Sequence, residues 1–344
     1  MNASAQFLNP SAAAELLGVS AKALRLYEQR GLVTPRRTAS GWRVYGPDEI
    51  ARAGEIIALR ALGLSIAQIA RVLRDDPQGL EPALAAHEAT LEDRIRQLSG
   101  VVDKVRGIRA GLAQGKAPTA GELVRLLGTG AEVSVAFDLP WPWGGERFEL
   151  REVRPLTYIV GPLGSGKTQL ARRLAESVPD AVFLGLDRVQ QGRAAARAKL
   201  DADPALKSRV DRTLAWLIED GAAVSEELTV LLVGLEADGA SMIIVDMVEQ
   251  GLDQPTQEAL IAHLRGRRPG ARPLVLLTRS CAILDLAAVG ADEAILLCPA
   301  NHSPPTRVAP YPGAPGFEAV ATCLASPEVR ARTDGMIAWR PHVA

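Results

Sequence analysis

The sequence predicts a multidomain fold: an all-α winged helix-turn-helix plus a coiled-coil helix, followed by an α/β domain with a mostly parallel sheet. Short helices with capping signals and one hairpin account for the first 75 or so residues. Apolar residues recur at three- and four-residue steps between residues 78 and 113, which is typical of a coiled coil. After residue 131, continuous apolar runs alternate with helical stretches, as in parallel sheets covered on both faces. The predicted domains are residues 1–76, 77–113 and 131–344, with a linker at 114–130.

Composition is that of an ordinary globular protein. The 344 residues fit two domains, at roughly 100–200 residues per domain. Three widely spaced cysteines match no disulfide or zinc pattern, which favours small buried apolar residues in a reducing compartment. No signal peptide opens the sequence, and no apolar run reaches the roughly 18 residues of a membrane span. We therefore expect a cytoplasmic protein with no membrane partner.

The first two helices carry recognisable start and stop signals. Asn9 can cap a helix that begins at Pro10 and ends at Gly18. Ser20 can cap the second helix, which ends at Gly31. Two short helices joined by a tight turn are the pattern of a helix-turn-helix.

A hairpin and two more helices follow. Apolar residues around a turn at residues 38–41 predict a small hairpin over residues 32–46. Pro47 opens a third helix, and Ser65 with Gln68 forms the capping box of a fourth. The hairpin is placed to act as a wing beside the second helix.

Basic side chains concentrate in this region. Residues 20–60 carry eight Lys or Arg against four Asp or Glu. In a helix-turn-helix the second helix enters the DNA major groove while neighbouring elements hold phosphates. The candidates on the second helix and the hairpin are Ser20, Lys22, Ala23, Arg25, Arg30, Arg36, Arg37 and Arg43. The alternative for the arginines is a merely solvated surface.

Residues 7–75 resemble the MerR family of transcription regulators. The matching segments are 18–20, 24–28, 31–35, 41–45 and 62–65, with Ile69. The resemblance implies an antiparallel coiled-coil homodimer on a palindromic site in double-stranded promoter DNA, with RNA polymerase as a partner. It also implies that Arg25, Tyr27, Arg43 and Tyr45 contact DNA, although either tyrosine could be a core residue instead. Metal sensors of the family use a Cys-containing loop after the coiled coil, and no Cys precedes Cys281 here.

The predicted dimer seam is the apolar stripe of the long helix. Its members are Leu84, Leu91, Ile95, Leu98, Val102, Val105 and Leu112. Gly100, Gly107 and Gly111 weaken the prediction, because glycine has a low helix propensity. The alternative is an amphipathic helix packed on its own domain.

Five apolar runs are the predicted strands of the second domain: residues 157–160, 181–186, 242–245, 274–277 and 294–297. Residues 299–316, which are rich in Pro and Gly, are a predicted loop.

A complete phosphate-binding loop, or P-loop, follows the first of these strands. Residues 161–168 read Gly-Pro-Leu-Gly-Ser-Gly-Lys-Thr between a strand and a helix. Backbone N–H groups can cradle phosphates there, Lys167 can reach the terminal phosphates, and the Thr168 hydroxyl can hold Mg²⁺. Asp246, which ends the run 242–245, can hold the metal through water, and Arg279 can stabilise phosphate charge. The predicted nucleotide-binding residues are Gly161, Gly164, Ser165, Gly166, Lys167, Thr168, Asp246 and Arg279, with Thr168 and Asp246 at Mg²⁺.

Residues 131–298 resemble ABC-type ATPases around this motif. Gly251-Leu252-Asp253 occupies the offset of their D-loop, residues 278–279 resemble their switch segment, and residues 148–153 resemble the strand before their P-loop. Residues 224–228 resemble a reduced form of their signature serine motif. The resemblance implies a domain in which two copies sandwich nucleotide.

Two departures from that family bear on activity. Met247 stands where the catalytic Glu follows the strand Asp, and Arg279 stands at the switch His. Without a general base, water is poorly activated. We therefore expect ATP and Mg²⁺ to act as an effector with weak or absent ATPase activity, although Glu249 could be a displaced base. Stacking on adenine or ordinary packing are the alternatives for the aromatic residues Phe137, Trp141 and Trp143.

Two other functions stay open. A small-molecule P-loop kinase fused to a DNA-binding module would hold its acceptor with Asp187 and Arg188 and use Arg193 and Arg197 as a lid. The D-loop-like segment argues against that. A protein- or ligand-binding module without nucleotide affinity is the third possibility, against which the intact P-loop speaks.

Overall fold

The computed structural model describes residues 7–74, 80–113, 134–267 and 270–324. The chain forms two compact units. The first comprises Met1–Ser134, Ser208–Val224 and Ala259–Ala271, and the second comprises Val135–Lys207, Ser225–Glu258 and Arg272–Ala344. Two segments from beyond residue 131 thus group with the N-terminal residues. The linker predicted at 114–130, with one short helix, lies outside the described residues.

The first unit begins with the predicted succession of short helices and a hairpin. Its elements are α1 (Pro10–Leu17), α2 (Ala21–Gln29), β1 (Arg36–Arg37), β2 (Arg43–Val44), α3 (Pro47–Ala61), α4 (Ile66–Val72) and α5 (Leu80–Ala113). Strands β1 and β2 pair antiparallel. Side-chain capping begins α1 and α2: Asn9 Oδ1 accepts from the Ala12 N–H, and Ser20 Oγ accepts from the Ala23 N–H.

The helix-turn-helix has its own apolar core. Leu24 of α2, Ile56 of α3 and Ile69 of α4 are fully buried together with Tyr45. Because α2 turns Leu24 and Tyr27 inward at three-residue spacing, its other face carries the polar side chains. This core fixes which side of α2 is available to a partner.

The second unit is built on a six-stranded sheet with a separate hairpin. The strands are β3 (Val135–Asp138), β4 (Arg147–Leu150), β5 (Leu156–Val160), β6 (Ala181–Leu184), β7 (Met242–Val245), β8 (Leu274–Leu277), β9 (Glu293–Leu297) and β10 (Thr306–Val308). The main sheet has the order β10-β9-β5-β8-β7-β6, parallel except for β10. Strands β3 and β4 form the antiparallel hairpin.

The remaining helices lie between the strands in the chain, except the last one, which follows β10. They are α6 (Lys167–Ser177), α7 (Arg188–Ala202), α8 (Pro204–Glu219), α9 (Glu226–Glu236), α10 (Gln254–Arg265) and α11 (Phe317–Leu324), with a 3₁₀ turn at Leu286–Ala288. Five strands are confirmed within two residues of their predicted bounds. The loop predicted at 299–316 is wrong in part, because β10 pairs with β9 there. No helix in the described parts of the chain is both long and apolar enough to cross a membrane.

Candidate nucleic-acid interface and phosphate site

Helix α2 presents one polar face above the core. Ser20 is buried as its N-cap, Lys22 is half-buried, and Arg25 is exposed. The C-cap residue Arg30 is also exposed. The structure therefore brings two of the predicted cations, Lys22 and Arg25, together on the first turns of one helix.

The two tyrosines among the predicted DNA contacts lie in the core. The side chain of Tyr27 is 5% exposed and that of Tyr45 is fully buried. Burial raises the pKa of the Tyr27 hydroxyl above its ordinary value. The Tyr45 hydroxyl donates to Glu28. Their contact with DNA stays a prediction, and the geometry assigns both a packing role.

The hairpin carries its three arginines in ordered positions. Arg36 Nε donates to Glu49 at 3.2 Å, and Arg43 Nη1 donates to Glu28 at 2.6 Å. Arg37 Nη1 donates to the Gly41 carbonyl across the turn at 3.0 Å. Trp42, which the sequence reasoning did not select, is exposed at the end of the hairpin. Its position beside Arg43 in the turn was the available signal.

In the P-loop, the lysine folds back onto its own loop. Lys167 Nζ donates to the carbonyl oxygens of Gly161 at 2.8 Å and Pro162 at 2.6 Å. Burial, and then the charge of Arg279, lower the Lys167 pKa. A Cβ on Gly161 would meet the Cys298 carbonyl oxygen. Only glycine fits at this position, because any side chain would collide with that carbonyl oxygen. Glycine therefore allows the tight backbone path that is typical of a P-loop.

The carboxyl ends of β5, β8 and β7 bring the predicted ligands to one edge. Strand β8 lies between the other two, so Arg279 stands between the P-loop and Asp246. Thr168 Oγ1 donates to Asp246 Oδ2 at 2.8 Å. A hydroxyl and a carboxylate at this distance are the oxygen donors that Mg²⁺ prefers.

Buried polar atoms without partners lie in the segment that follows Asp246 and in Arg279, which follows β8. Among the described residues, Glu249 Oε2, Gln250 Oε1 and Arg279 Nε are buried and make no hydrogen bond. Glu249 Oε1 accepts from the Arg279 backbone N–H at 2.8 Å. Because such atoms are costly to bury unsatisfied, they fit a site built for a polar ligand. The donors and acceptors present thus fit a nucleotide with Mg²⁺. Sequence reasoning missed Gln250.

Arg188 is a structural residue of this edge. Its guanidinium donates to the carbonyl oxygens of Gly185, Asp246 and Met247 at 2.9, 2.5 and 2.6 Å. Burial lowers its pKa. Arg193 pairs with Glu226 and Glu227. These engagements do not favour the kinase alternative, which assigned both arginines to a phosphoryl acceptor or a lid.

The three aromatic residues before the P-loop differ in accessibility. Phe137 packs on Phe148 in the β3–β4 hairpin. Trp143 is buried beside Gly166 and donates from its indole N–H to the Ser303 carbonyl oxygen at 3.0 Å. Trp141 is 80% exposed. Trp141 is therefore the one of these three aromatic side chains that is accessible to a ligand.

The cysteines are only partly as expected. Cys298 is buried, and burial raises the pKa of its thiol to about 12, so it stays protonated. Cys281 is exposed and Cys323 is half-buried. The described residues contain no cluster of His, Cys, Asp or Glu that could hold a metal by itself.

Comparison with known proteins identifies the N-terminal part. Residues 8–76 match the model described as MerR HTH family regulatory protein. A probable heavy metal-dependent transcriptional regulator of Haemophilus influenzae is 39% identical over 106 residues, which cover 29% of this chain and 83% of the relative. The chain belongs to the MerR family of DNA-binding regulators.

Two solved structures overlap different shares of the chain. One is a MerR family regulator lacking the sensor domain, bound to promoter DNA. It is 24% identical to this protein, and the overlap covers 32% of this chain and 92% of that chain with a TM-score of 0.25. The other is an ATP-binding cassette of an ABC transporter in its ADP conformation. It is 13% identical, and the overlap covers 60% of this chain and 100% of that chain with a TM-score of 0.38. Both overlaps are weak and say nothing about activity.

Proposed function

We propose that this protein is a dimeric transcription regulator of the MerR type whose P-loop domain binds ATP and Mg²⁺ as an effector. One observation carries the proposal: a single chain combines the MerR helix-turn-helix with a P-loop whose Thr168 hydroxyl donates to Asp246 at 2.8 Å. The first feature supports recognition of double-stranded promoter DNA, and the second supports metal-bound nucleotide.

The DNA-binding part of the proposal assigns direct contact to the accessible cations. Arg25 of α2 and Arg36 and Arg37 of the hairpin are exposed. Tyr27, Tyr45 and the Arg43–Glu28 ion pair would hold these elements in register, since they are buried or half-buried. A palindromic operator and RNA polymerase as a partner follow by analogy with the family.

Dimerisation is proposed through α5. Leu84, Leu91, Ile95, Val102 and Leu112 are between 45% and 62% exposed, which is unusual for a stripe of large apolar side chains. The side chain of Leu98 is outside the description. A second copy of α5 would bury this stripe, as coiled-coil packing requires.

The nucleotide part assigns phosphate to the P-loop, Mg²⁺ to Thr168 and Asp246, and adenine to Trp141. Bound Mg²⁺ would neutralise phosphate charge. Hydrolysis would be slow, because Met247 supplies no base directly after Asp246. Glu249, with one buried oxygen unpartnered, is the carboxylate available for residual turnover.

Calorimetry with ATP and Mg²⁺ tests the nucleotide site. We expect Lys167→Ala to weaken ATP binding by about 10- to 100-fold, the size of a charge-assisted hydrogen bond. Arg197→Ala, an exposed cation of α7, is the matched control and should bind as the wild type does. Equal ATP affinity in Lys167→Ala and wild type would contradict the assignment. Fast single-turnover hydrolysis that depends on Lys167 would contradict only the prediction of slow hydrolysis, and the assignment of the nucleotide site would stand.

The regulatory link is tested on DNA. A duplex selected by the wild-type protein from a random library supplies the probe, and its affinity and bending are measured with ATP, with ADP and in Lys167→Ala. We expect ATP to change at least one of them, because a ligand shifts a conformational equilibrium only through different affinity for the two states. Identical DNA binding under all conditions would leave a DNA-binding protein without nucleotide control.

A further inference from the structure

The helix-turn-helix is held by a segment from much later in the chain. Residues 216–221, here called the docking segment, end α8 and contact the corner between α3 and α4 within the first compact unit. Arg60 Nη1 and Nη2 donate to the two carboxylate oxygens of Asp220 at 2.7 and 3.2 Å. The Ile66 backbone N–H donates to the same carboxylate at 2.9 Å.

Two more hydrogen bonds widen this contact. Ser65 Oγ donates to Glu219 at 2.9 Å, and the Trp216 indole N–H donates to the Gly63 carbonyl oxygen at 3.2 Å. Residues 60–66, which connect α3 to α4, thus receive partners at four positions. A contact with this many defined partners fixes the geometry of that turn.

Burial distinguishes the contact from a surface ion pair. The Asp220 side chain is 2% exposed and that of Arg60 is 20% exposed. A bidentate Arg–carboxylate pair adds geometric specificity to its attraction. Because the carboxylate also accepts the Ile66 N–H, the first turn of α4 is tied to α8.

The docking segment also reaches α2 and α10. A Cβ on Gly221 would collide with the guanidinium of Arg30, the C-cap of α2. The Trp216 ring lies 5.6 Å from Arg60 Cζ and 5.2 Å from the ring of His263 in α10. Helix α10 begins directly after Asp253, the last residue of the D-loop-like segment. The covalent chain therefore joins that segment to the contact through one helix.

We infer that the docking segment is an internal interaction surface that holds the helix-turn-helix by its α3–α4 corner and thereby sets its DNA affinity. The inference rests on the proposed DNA-binding function and adds the route by which the second half of the chain acts on it. Since α2 shares the contact through Arg30, a change at α8 or α10 alters the support of the helix that faces DNA.

The test uses the full-length protein, with hydrogen exchange of residues 60–67 and affinity for the selected duplex as readouts. Asp220→Asn removes the charge at nearly constant size, and Trp216→Phe removes the bond to Gly63 while keeping a ring. Asp211→Asn, an exposed carboxylate of the same helix, is the control. We expect about tenfold faster exchange in Asp220→Asn. Duplex affinity should change about fivefold or more in Asp220→Asn, with a smaller change in Trp216→Phe and none in Asp211→Asn.

The outcomes separate the two claims. If the wild type selects no duplex, the DNA-binding proposal fails, and the inference fails with it. If the wild type binds its duplex and both variants match it in affinity, only the inference is overturned. Faster exchange with unchanged duplex affinity also overturns it, because the contact would then be structural alone. Should Asp220→Asn fold poorly, Trp216→Phe decides between these outcomes.

Discussion

At the scale of single residues, exposure decides which aromatic side chain can meet a ligand. Phe137, Trp141 and Trp143 are equally plausible from their spacing before the P-loop. The structure gives Phe137 a partner ring, places Trp143 against Gly166, and leaves Trp141 exposed. Because Phe137 and Trp143 are almost fully buried, neither ring has an accessible face to offer a base.

We expect Trp141→Ala to weaken ATP binding by about 1–3 kcal/mol, the range found for stacking of a base on an aromatic ring. Calorimetry measures the change. Inorganic tripolyphosphate, which has no base, is the matched probe and should bind wild type and variant equally. Equal loss for both probes would mean that the substitution disturbs the P-loop rather than an adenine platform.

The hydrogen bonds of the charged side chains near Asp246 distinguish Arg279 and Glu249 from Arg188. Arg279 and Glu249 join through a backbone hydrogen bond, while each keeps a buried polar atom unpartnered within the described chain. Arg188, by contrast, donates to three carbonyl oxygens. The first pair can therefore respond to a ligand, and Arg188 holds the backbone around Asp246.

At the scale of elements, the start of α6 depends on backbone conformation. Gly164 and Gly166 have φ values of 80° and 86°, which L side chains rarely adopt. They differ in their surroundings: a Cβ on Gly166 would meet the Trp143 ring and Pro142, whereas a Cβ on Gly164 would meet nothing within 4 Å. A substitution at Gly164 therefore introduces backbone strain only, whereas one at Gly166 introduces backbone strain and a steric collision.

This difference predicts the outcome of a matched pair of substitutions. Gly164→Ala should weaken ATP binding by about 1–2 kcal/mol, the cost of a left-handed non-glycine residue. Gly166→Ala should weaken it more, because the β3–β4 hairpin must also move. Calorimetry with ATP and a thermal unfolding scan measure both effects. Equal losses in the two variants would mean that packing of Trp143 on the loop has no influence.

At the scale of the whole molecule, the proposed dimer depends on the apolar stripe of α5. We expect Val102→Asp to convert the protein to a monomer, since a charge buried in a coiled-coil seam lacks a partner. Sedimentation velocity measures the mass in solution. The control is Ala110→Asp, which puts the same charge on an exposed residue of α5 that is not a member of the stripe. A monomeric wild type, or a dimeric Val102→Asp, would contradict a seam on this stripe.

The proposed dimer would link assembly to the proposed regulation. It would carry two helix-turn-helix modules and two P-loops, so a nucleotide held between copies would act on both modules. The docking segment gives each copy its own connection to α3 and α4. If Val102→Asp still binds ATP but its DNA binding no longer responds to ATP, the result would support regulation that requires the dimer.

Local signals determined much of the fold from the sequence. The N-caps Asn9, Ser20 and Ser65 mark helix starts because each satisfies a backbone N–H within three residues. The P-loop pattern and the continuous apolar strands likewise involve neighbours in the chain. These features place the candidate phosphate site and the second helix without knowledge of distant contacts.

Only the tertiary structure decided which residues meet across long separations. It buried Tyr27 and Tyr45, engaged Arg188 with carbonyl oxygens, and joined Arg60 to Asp220 across 160 positions. Periodicity and capping patterns do not predict such pairs, because these patterns involve neighbours in the chain and a buried charge pairs with a residue that is close only in space. The sequence by itself established the helix-turn-helix and the P-loop, and the packing of distant segments established how the first is held.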